Sequence, residues 1–410
     1  MANRNKRSCS GLKVLVVHRY YWPDTPPYAS MLREIVRCWK QEGHIVNVLS
    51  SQPSYKQELK NETRSKVEIV DGATVYRLEL PNESGKPIRR IWNAFKLGWA
   101  VFCKALWGRY DVIMVSTAPP VLGGFFSALS ARLTGARFIY HCMDVHPEIG
   151  RVSGEFSNPI VYKLLLWADN WTCSRAAPVV VLSEDMENSL RARGRGDYNI
   201  QVINNFSLPS EQIIPNELPF EWPNVTLTML FAGNVGRFQG LDILVAAMKK
   251  LRHRPDIHIV IMGEGAAKKE LELQVSDNAL NISFIGHHPV EIAKAAMLKA
   301  DIGFVSLSKG LYRYAYPSKT MTYLEQGCPI IVAVEAESGL SRDVLSGKYG
   351  GGVSPGDSNA LAEMLKLFAD SEYTLLCMKE NARRTAIESF SETKILTQWV
   401  DLLLKGGNQK

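Results

Sequence analysis

Residues 300–333, ADIGFVSLSKGLYRYAYPSKTMTYLEQGCPIIVA, contain the pattern that decides the fold. An apolar run from Ile302 to Leu307 is followed by a loop rich in Tyr and Arg, a short helical segment and a second apolar run from Ile330 to Val334. Two such runs joined by a helix are typical of parallel strands in one sheet. The segment therefore predicts a parallel sheet that is covered by helices.

A lysine stands at the predicted start of the helix in this segment. Ser318 suits the N-cap, so Lys319 falls at the helix N-terminus, where a positive charge is unfavourable unless an anion is bound nearby. Phosphate is the obvious anion. The alternative is a surface lysine beside an ordinary capped helix. We favour an anion-binding role for Lys319, because a glycine loop near residue 233 occupies the equivalent edge of the same predicted sheet.

That glycine loop lies in FAGNVGRFQGLDIL, residues 231–244, between a predicted strand and a helix. Glycine lets the backbone approach a phosphate closely. For this loop alone, a tight strand-to-helix turn of any α/β protein is an equally good interpretation. The G-x-x-G-x-x-x-G spacing differs from the dinucleotide fingerprint, and the later loop MGEGAAKKEL has Lys268 where that fingerprint needs Gly or Ala. An NAD enzyme is therefore disfavoured.

Short apolar runs alternate with helical patterns along the whole chain, which predicts two doubly wound α/β domains. The predicted strands are Leu12–His18, Ile45–Leu49, Thr74–Leu80, Val112–Ser116, Arg137–His141, Val179–Leu182, Ile200–Ile203, Leu227–Ala232, Ile257–Met262, Ile282–Ile285 and the two above. A proline-rich stretch separates the halves. We predict a tail (1–10), a first Rossmann-like domain (11–205), a linker (206–224), a second Rossmann-like domain (225–390) and a final helix (391–410), capped by Ser391, that returns to the first domain.

Length and composition agree with two globular domains. The chain has 410 residues, of which 46% are apolar and 22% charged. Its seven cysteines are scattered and lack a CxxC pair, so neither a disulfide framework nor a zinc site is predicted. The apolar run after the basic start is too short for a signal-peptide core, and no run reaches the roughly 18 residues of a spanning helix. We therefore expect a cytoplasmic protein.

A basic and aromatic stretch, KPIRRIWNAFKLGWAVFCKALWGRYD, covers residues 86–111. Asp111 is its one acidic residue, while Lys and Arg alternate with Trp and Phe. Basic charge favours anionic lipid, and Trp suits the headgroup boundary, so we predict docking on the inner face of a membrane. For the apolar residues an equally good interpretation is the core face of an ordinary helix, formed by Ile91, Phe95, Phe102 and Leu106.

Seven motifs occur in a fixed order: HRYYWPDTPPYASMLREIVRCWKQEGHIVNVLSSQPSY, APPVLGGFFSALSARLTGARFIYHCMDVHPEIG, VINNF, GNVGRFQGLD, MGEG, FIGHH and YPSKTMTYLEQGCPII. In order and spacing they resemble glycosyltransferase family 4, retaining transferases of the GT-B fold, and in particular the branch that assembles O-antigen, capsule and colanic-acid type polysaccharides. The resemblance implies two Rossmann-like domains facing across a cleft. It also implies transfer of a sugar from a nucleotide diphosphate, UDP before GDP, to a lipid-linked or polysaccharide acceptor.

The resemblance implies a donor site in the second domain. Lys319 and Arg237 would supply the charge that stabilises the departing diphosphate. The remaining implied donor contacts are Gly233, Asn234, Gly236, Gln239, Gly263, Gly265, His287, Pro317, Ser318, Thr322 and Glu325. The family usually has two glutamates where this chain has Tyr314 and Thr322. Ribose recognition therefore departs from the family pattern, and Glu325, about 4.5 Å further along the helix, is not an automatic substitute.

In the first domain, HCMDVHPEIG matches the family's Asp-x-x-Pro-Glu segment. The match makes Asp144 and His146 candidates for proton transfer, and Glu148 a candidate for acceptor contact. His18, at the carboxyl end of the first strand, points toward the predicted cleft and is a further acceptor candidate. The alternatives are that Asp144 caps a helix and that His146 is structural.

Metal and cofactor requirements are predicted to be absent. No D-x-D motif occurs among fifteen aspartates, and the histidines show no metal-ligand spacing. We expect no bound metal, no cofactor and no nucleic-acid partner. Two other functions stay open. One is a sugar-nucleotide epimerase of the same fold, and the other is a sugar-nucleotide-binding protein with impaired catalysis.

Overall fold

The computed structural model describes residues 11–24, 26–53, 64–81, 87–152, 154, 156, 158–194, 196–209, 213–236 and 239–405. Arg237, the predicted tail and residues 406–410 lie outside these ranges. The chain divides into two compact units. The first comprises Met1–Leu182, Leu190–Ile203 and Leu396–Lys410, and the second comprises Ser183–Ser189 and Asn204–Ile395. Each unit is built on a largely parallel sheet covered by helices.

The sheet of the first unit has eight strands among the described residues: β1 (Lys13–Val17), β2 (Ile45–Ser51), β3 (Val67–Val70), β4 (Ala73–Leu78), β5 (Val112–Ser116), β6 (Arg137–Cys142), β7 (Val179–Val181) and β8 (Ile200–Val202). Their order is β3-β4-β2-β1-β5-β6-β7-β8. The edge strand β3 pairs antiparallel with β4, whereas the other described pairs are parallel. The strand β3 was not predicted, because it lies at the edge and buries no complete face.

Helices follow most strands of this unit: α1 (Pro27–Gln41), α2 (Pro87–Gly108), α3 (Leu122–Thr134), α4 (Glu148–Val152) and α5 (Pro159–Arg175). The helix α6 (Glu184–Arg191) follows β7, but its residues up to Ser189 belong to the second unit. The helix α1 buries Leu32, Ile35, Val36 and Trp39, which are spaced three and four residues apart and therefore lie on one face of the helix. Central strands such as β5 are buried along their whole length. A parallel sheet that is covered on both faces needs such continuous apolar strands.

The sheet of the second unit is parallel throughout its described strands: β9 (Leu227–Ala232), β10 (Ile257–Met262), β11 (Ile282–Ile285), β12 (Ile302–Ser306), β13 (Ile330–Ala333) and β14 (Gly350–Val353). Their order is β11-β10-β9-β12-β13-β14. The order therefore reverses at β9, between β10 and β12. In open parallel sheets, ligands bind outside the carboxyl ends of the strands at such a switch point.

Helices cover both faces of this second sheet: α7 (Asp242–Lys250), α8 (Lys268–Ser276), α9 (Val290–Lys299), α10 (Lys319–Glu325), α11 (Gly339–Ser346), α12 (Ser358–Ala369) and α13 (Glu372–Phe390). One core cluster joins the sheet to α7, α8 and α12, and the other joins it to α9, α10, α11 and α13. The doubly wound α/β fold predicted from the sequence is therefore confirmed for both units.

The last helix, α14 (Glu392–Lys405), begins directly after Ser391, and its residues from Leu396 onward belong to the first unit. Trp39 Nε1 donates a hydrogen bond of 3.2 Å to the carbonyl oxygen of Trp399. Arg137 donates to the carbonyl oxygen of Leu403 at 2.7 Å. The bond to Leu403 satisfies a carbonyl group in the last turn of the helix, which has no partner inside the helix.

Candidate active site

The loop after β9 lies at the switch point of the second sheet and is held by the loop after β10. Gly233 donates a backbone hydrogen bond to the carbonyl oxygen of Met262 at 2.9 Å, and Val235 donates to that of Glu264 at 2.8 Å. Gly233 has a φ of 142°, a region that side chains rarely adopt. The predicted glycine loop is therefore rigidly tied to its neighbour by backbone bonds.

Gly263 and Gly265 are explained by the close approach of these two loops. A Cβ on Gly263 would lie 1.9 Å from the carbonyl oxygen of Gly233, and one on Gly265 would lie 2.2 Å from that of Val235. Neither position has room for a side chain. Because packing alone requires these glycines, their predicted contact with the donor is not needed to account for them.

Lys319 projects its ammonium group into the interior beside this loop. Its Nζ is buried and has no hydrogen-bond partner among the described residues. It lies 3.7 Å from the centroid of the Phe231 ring on β9 and 3.4 Å from where a Cβ on Gly233 would stand. Burial lowers the pKa of Lys319 to about 7. An unpaired buried cation beside a glycine loop is suited to an incoming anion.

Ser318 does not form the predicted N-cap. It occupies the cap position of α10, but its backbone is helical, with φ −59° and ψ −23°, and its hydroxyl makes no capping bond. A side-chain cap needs an extended backbone at that residue, so the geometry explains the failure. Pro317 accepts a backbone bond from Thr320 at 3.1 Å instead. The predicted anion site therefore depends on the side chain of Lys319 and not on a capped helix N-terminus.

The far end of the loop is anchored to β12. Ser306 donates its hydroxyl to the carbonyl oxygen of Gln239 at 2.6 Å. The side-chain Oε1 of Gln239 is buried without a partner among the described residues. Asn234 is exposed, and its amide nitrogen lies near Gly236. The structure therefore gathers Gly233, Asn234, Gly236 and Gln239 into one loop, with an unsatisfied acceptor at its end.

Thr322 and Glu325 contact protein groups, although both were predicted to bind the donor. The backbone nitrogen of Leu208 donates to Thr322 Oγ1 at 3.4 Å, and Thr322 is only 1% exposed. Glu325 Oε2 accepts from Ser207 at 2.6 Å and forms an ion pair with Lys294 at 2.8 Å. Both side chains hold the segment that follows β8 onto α10. Sequence spacing could not reveal the contacts with this segment, because Ser207 and Leu208 are more than 100 residues away from α10.

His287 is an exposed residue after β11, and its neighbour His288 packs against the Phe220 ring at 5.2 Å. The loop that contains them follows a strand at the same end of the sheet as the loops after β9 and β10. His287 thus lies at the surface of the second unit.

In the first unit, His18 belongs to a buried chain of polar rings. Its Nδ1 is hydrogen-bonded to Ser116 Oγ, and its ring meets the Tyr28 ring edge-on at 4.7 Å. Tyr28 is bonded in turn to His141 Nδ1 at 2.7 Å. Burial lowers the pKa of both histidines to about 3, so both are neutral at pH 7. Tyr28 and His141 were not singled out from the sequence, although both lie in the quoted motifs.

Asp144 follows β6, as the sequence predicted, and its backbone nitrogen donates to Thr117 Oγ1 at 3.3 Å. Burial raises the pKa of its carboxyl, and the nearby His146 acts in the opposite direction. A carboxyl of raised pKa beside a histidine is suited to proton transfer. The structure therefore brings these two candidate groups together.

Glu148 is engaged in a buried ion pair and does not lie open to an acceptor. Arg193 donates to both of its carboxylate oxygens, at 2.9 and 2.7 Å, and also to the carbonyl oxygen of His146 at 2.6 Å. The same guanidinium donates to Asp169 at 2.7 Å. The predicted role of Glu148 in acceptor contact is thereby replaced by a structural one, which fixes the segment from His146 to Glu148.

Two family models match the chain in succession. The glycosyl transferase 4-like domain matches residues 28–205, and the glycosyl transferases group 1 domain matches residues 226–370. This chain is a family 4 glycosyltransferase with the GT-B fold. The two family models thus cover the two domains of the enzyme in turn, and the family resemblance expected from the seven motifs is confirmed.

Two protein relatives support the assignment of this glycosyltransferase to glycan biosynthesis. The probable glycosyltransferase WbjE of Pseudomonas aeruginosa is 26% identical over 286 residues, which are 68% of this chain and 70% of that protein. The putative colanic acid biosynthesis glycosyl transferase WcaI of Escherichia coli K12 is 24% identical over 353 residues, which are 81% and 85% of the two chains.

Solved structures confirm the fold of the glycosyltransferase. Sucrose-phosphate synthase from Thermosynechococcus elongatus has a TM-score of 0.77 at 17% identity, covering 97% of this chain and all of that one. Alr3699/HepE of Anabaena in complex with UDP has a TM-score of 0.70 at 16% identity, covering 96% of this chain and all of that one. At such identities the likeness concerns the fold alone.

Proposed function

We propose that this glycosyltransferase moves a sugar from a nucleotide diphosphate donor, UDP before GDP, to a lipid-linked or polysaccharide acceptor in surface-glycan synthesis, with retention of configuration. The HepE structures are described as complexes with UDP and with UDP-glucose, and WcaI is named for colanic acid biosynthesis. Those descriptions concern relatives, and they support the same donor and glycan classes for this chain.

The observation that carries the proposal is the enclosed ammonium of Lys319 beside Gly233. Sugar transfer leaves a diphosphate that gains negative charge as the glycosidic bond to it breaks. A cation fixed next to that charge stabilises the transition state more than the ground state. Lys319 has no other anion among the described residues to neutralise it, so the arriving diphosphate raises its pKa and restores its charge.

Further parts of the proposal concern the metal, the protons and the membrane. Lys319 and, by its family position, Arg237 take the place of a divalent ion on the diphosphate, because the D-x-D motif that would bind such an ion is missing. Asp144 and His146 assist proton movement from the acceptor.

The enzyme works at the cytoplasmic face of the inner membrane, where a lipid-linked acceptor would lie. Among the described residues no helix is long and apolar enough to cross a bilayer.

Thermal stabilisation by a panel of UDP-, GDP- and dTDP-sugars tests the donor class. A ligand at 100 times its dissociation constant should add about 2.7 kcal/mol to the free energy of unfolding. The proposal predicts stabilisation by UDP-sugars, and consumption of the donor only when an acceptor is supplied. Turnover without acceptor would indicate the epimerase instead. The absence of any stabilisation would indicate a protein with an impaired donor site.

A further inference from the structure

The helix α2 buries Ala, Val and Leu residues on its inner face and exposes its large aromatic residues. Ala94, Leu97, Val101 and Ala105 are at most 5% exposed, whereas Ile91, Trp92, Phe95, Trp99, Leu106 and Trp107 are 44 to 88% exposed. The interpretation of this helix as an ordinary core helix is therefore wrong for Ile91, Phe95 and Leu106. Large exposed apolar side chains that form one stripe mark an interaction surface.

The neighbouring helices α3 and α5 repeat this arrangement. The inner face of α3 consists of small residues: Gly123, Gly124, Ser127, Ala128, Ser130 and Ala131. Its outer side has Phe125 and Phe126, which are half-buried, and Leu133, which is 59% exposed. On α5 the outward residues Ile160, Leu164 and Trp167 are 76%, 63% and 56% exposed. Three adjacent helices thus expose their bulkiest apolar groups.

Ring contacts join the three helices into one surface. Trp92 stacks on Phe95 at 6.3 Å, and Phe95 meets Phe126 of α3 edge-on at 5.4 Å. Phe126 lies 5.9 Å from Phe125, which in turn contacts Trp167 and Trp171 of α5 at 6.1 and 4.9 Å. We call this surface the three-helix face, formed by Trp92, Phe95, Trp99, Phe125, Phe126, Leu164, Trp167 and Trp171.

The charge of these helices has one sign. They contain seven basic residues, Arg89, Arg90, Lys96, Lys104, Arg132, Lys163 and Arg175, and a single acidic one, Asp169. Asp169 is 1% exposed and paired with Arg193, so it contributes nothing to the surface. The Arg175 guanidinium lies 5.7 Å from the centroid of the Trp171 ring. A recess of about 280 Å³ at the start of α5 is lined by Arg151 and Lys163 among apolar residues.

We propose that the three-helix face, and not α2 alone, docks this enzyme on an anionic lipid bilayer. Trp and Phe enter the headgroup boundary, and Lys163 and Arg175, which lie beside the aromatic residues of α5, meet the lipid phosphates. The opposite charge of such a bilayer favours it over a protein partner of mixed charge. The inference rests on the membrane association proposed above, and it adds α3 and α5, which the sequence pattern did not include.

The test compares α5 with α2 in cosedimentation with phosphatidylcholine vesicles that contain or lack phosphatidylglycerol. The paired substitutions L164S/W167S on α5 and W92S/W99S on α2 should each weaken binding to anionic vesicles by about tenfold, because each removes two interfacial anchors. Ile387→Ser on α13, at an equally exposed apolar residue (71%), is the matched control and should bind as the unmodified protein does. Unchanged melting temperatures exclude a folding defect.

Three outcomes would overturn the proposal. L164S/W167S could bind as well as the unmodified enzyme, which would leave α2 as the whole surface. Vesicles without anionic lipid could bind equally well, which would remove the role of charge. The enzyme could also be a dimer without lipid that L164S/W167S converts to a monomer, which would make the face a subunit interface. Thermal stabilisation by UDP-sugars is measured without lipid. A failure of the donor proposal can therefore be distinguished from a failure of the docking proposal.

Discussion

The ammonium nitrogen of Lys319 lies 3.7 Å from the centroid of the Phe231 ring, on the strand that leads into the glycine loop. The ring face attracts the cation, but such a contact offsets only part of the cost of burying it. Lys319 Nζ has no hydrogen-bond partner within the described part of the chain, so the proposed diphosphate would supply its counter-charge. Five of the six predictions below follow from this part of the second unit.

Replacing Lys319 with Ala should lower kcat by about 10²-fold, because the charge that stabilises the leaving diphosphate is lost. The measurement is steady-state transfer to a supplied acceptor. Lys299→Ala, at an exposed lysine of α9, is the control and should retain full activity. A K319A enzyme that is as fast as the control would remove Lys319 from the active site.

The pKa of Lys319 makes stability depend on pH. The side chain titrates at 10.5 when unfolded and at about 7 in the folded site, so between these values the unfolded chain holds more protons. The free energy of unfolding of the enzyme, relative to that of Lys319→Met, should therefore rise from pH 7 to 10.5. Below pH 7 the difference should be constant. Chemical denaturation of both proteins at several pH values measures this difference. If the free energies of unfolding of the two proteins change with pH in the same way, the pKa shift does not belong to Lys319.

Affinity for UDP should show the opposite trend over the same interval. The diphosphate binds best to the protonated lysine, so the dissociation constant is expected to increase as the pH rises above about 7. In Lys319→Met the affinity for UDP should be lower, and it should not depend on pH between 7 and 9. Calorimetric titration of both proteins checks this, and an equal pH dependence in the two would assign the effect to another group.

Gly263→Ala should disrupt the two interlocked loops, since the new Cβ would lie 1.9 Å from a carbonyl oxygen of Gly233. We expect a loss of more than about 2 kcal/mol in the free energy of unfolding, together with weakened UDP binding. Gly356→Ala is the control, because Gly356 also has a positive φ but nothing within 4 Å of its Cβ position. That change should cost only about 1 kcal/mol. Equal effects of the two would show that backbone conformation, and not the close approach, matters.

Arg193→Met should be among the most destabilising substitutions in the first unit. It leaves the carboxylates of Glu148 and Asp169 without their shared cation, and breaking a buried pair in this way costs about 3–5 kcal/mol. Arg132→Met, at an exposed position of α3, should change stability little. Denaturant titration measures both. If the two behave alike, the ion pair does not stabilise the segment from His146 to Glu148.

EDTA is expected to leave the transfer rate unchanged, because fixed side-chain cations are proposed to act on the diphosphate. The assay is sugar transfer before and after exhaustive treatment with the chelator. Activity that disappears and returns only with magnesium or manganese would show that a divalent ion acts on the donor.

The sequence predicted the strands that are buried on both faces, because a continuous apolar run is an unambiguous signal in a parallel sheet. It missed β14, whose sequence GGGV has a single β-branched residue. There the glycines are required by packing, since a Cβ on Gly350 would lie 1.8 Å from the carbonyl oxygen of Ile330. The close approach of β13, which no local sequence pattern encodes, determines that these glycines form a strand.

For the candidate site, too, local sequence predicted some features, while tertiary contacts determine others. Lys319 and the glycine loop were predicted because an element boundary places them at a sheet edge. The actual partners of Glu148 and Thr322 were not predicted, since Arg193 and Leu208 come from distant parts of the chain. Motif position indicates where a residue lies, but whether its polar atoms are free depends on contacts that only the folded chain reveals.

The backbone bonds between the loops after β9 and β10 also bear on attempts to change the donor preference of the enzyme by directed evolution. Saturation libraries at Gly263 or Gly265 would yield mostly inactive clones, since each new side chain meets a carbonyl oxygen within 2.2 Å. Asn234 and His287 have exposed side chains, so a new side chain there extends toward solvent and not into a carbonyl oxygen of the neighbouring loop. A small library at these two positions would therefore retain a larger fraction of folded variants than one that spans both loops.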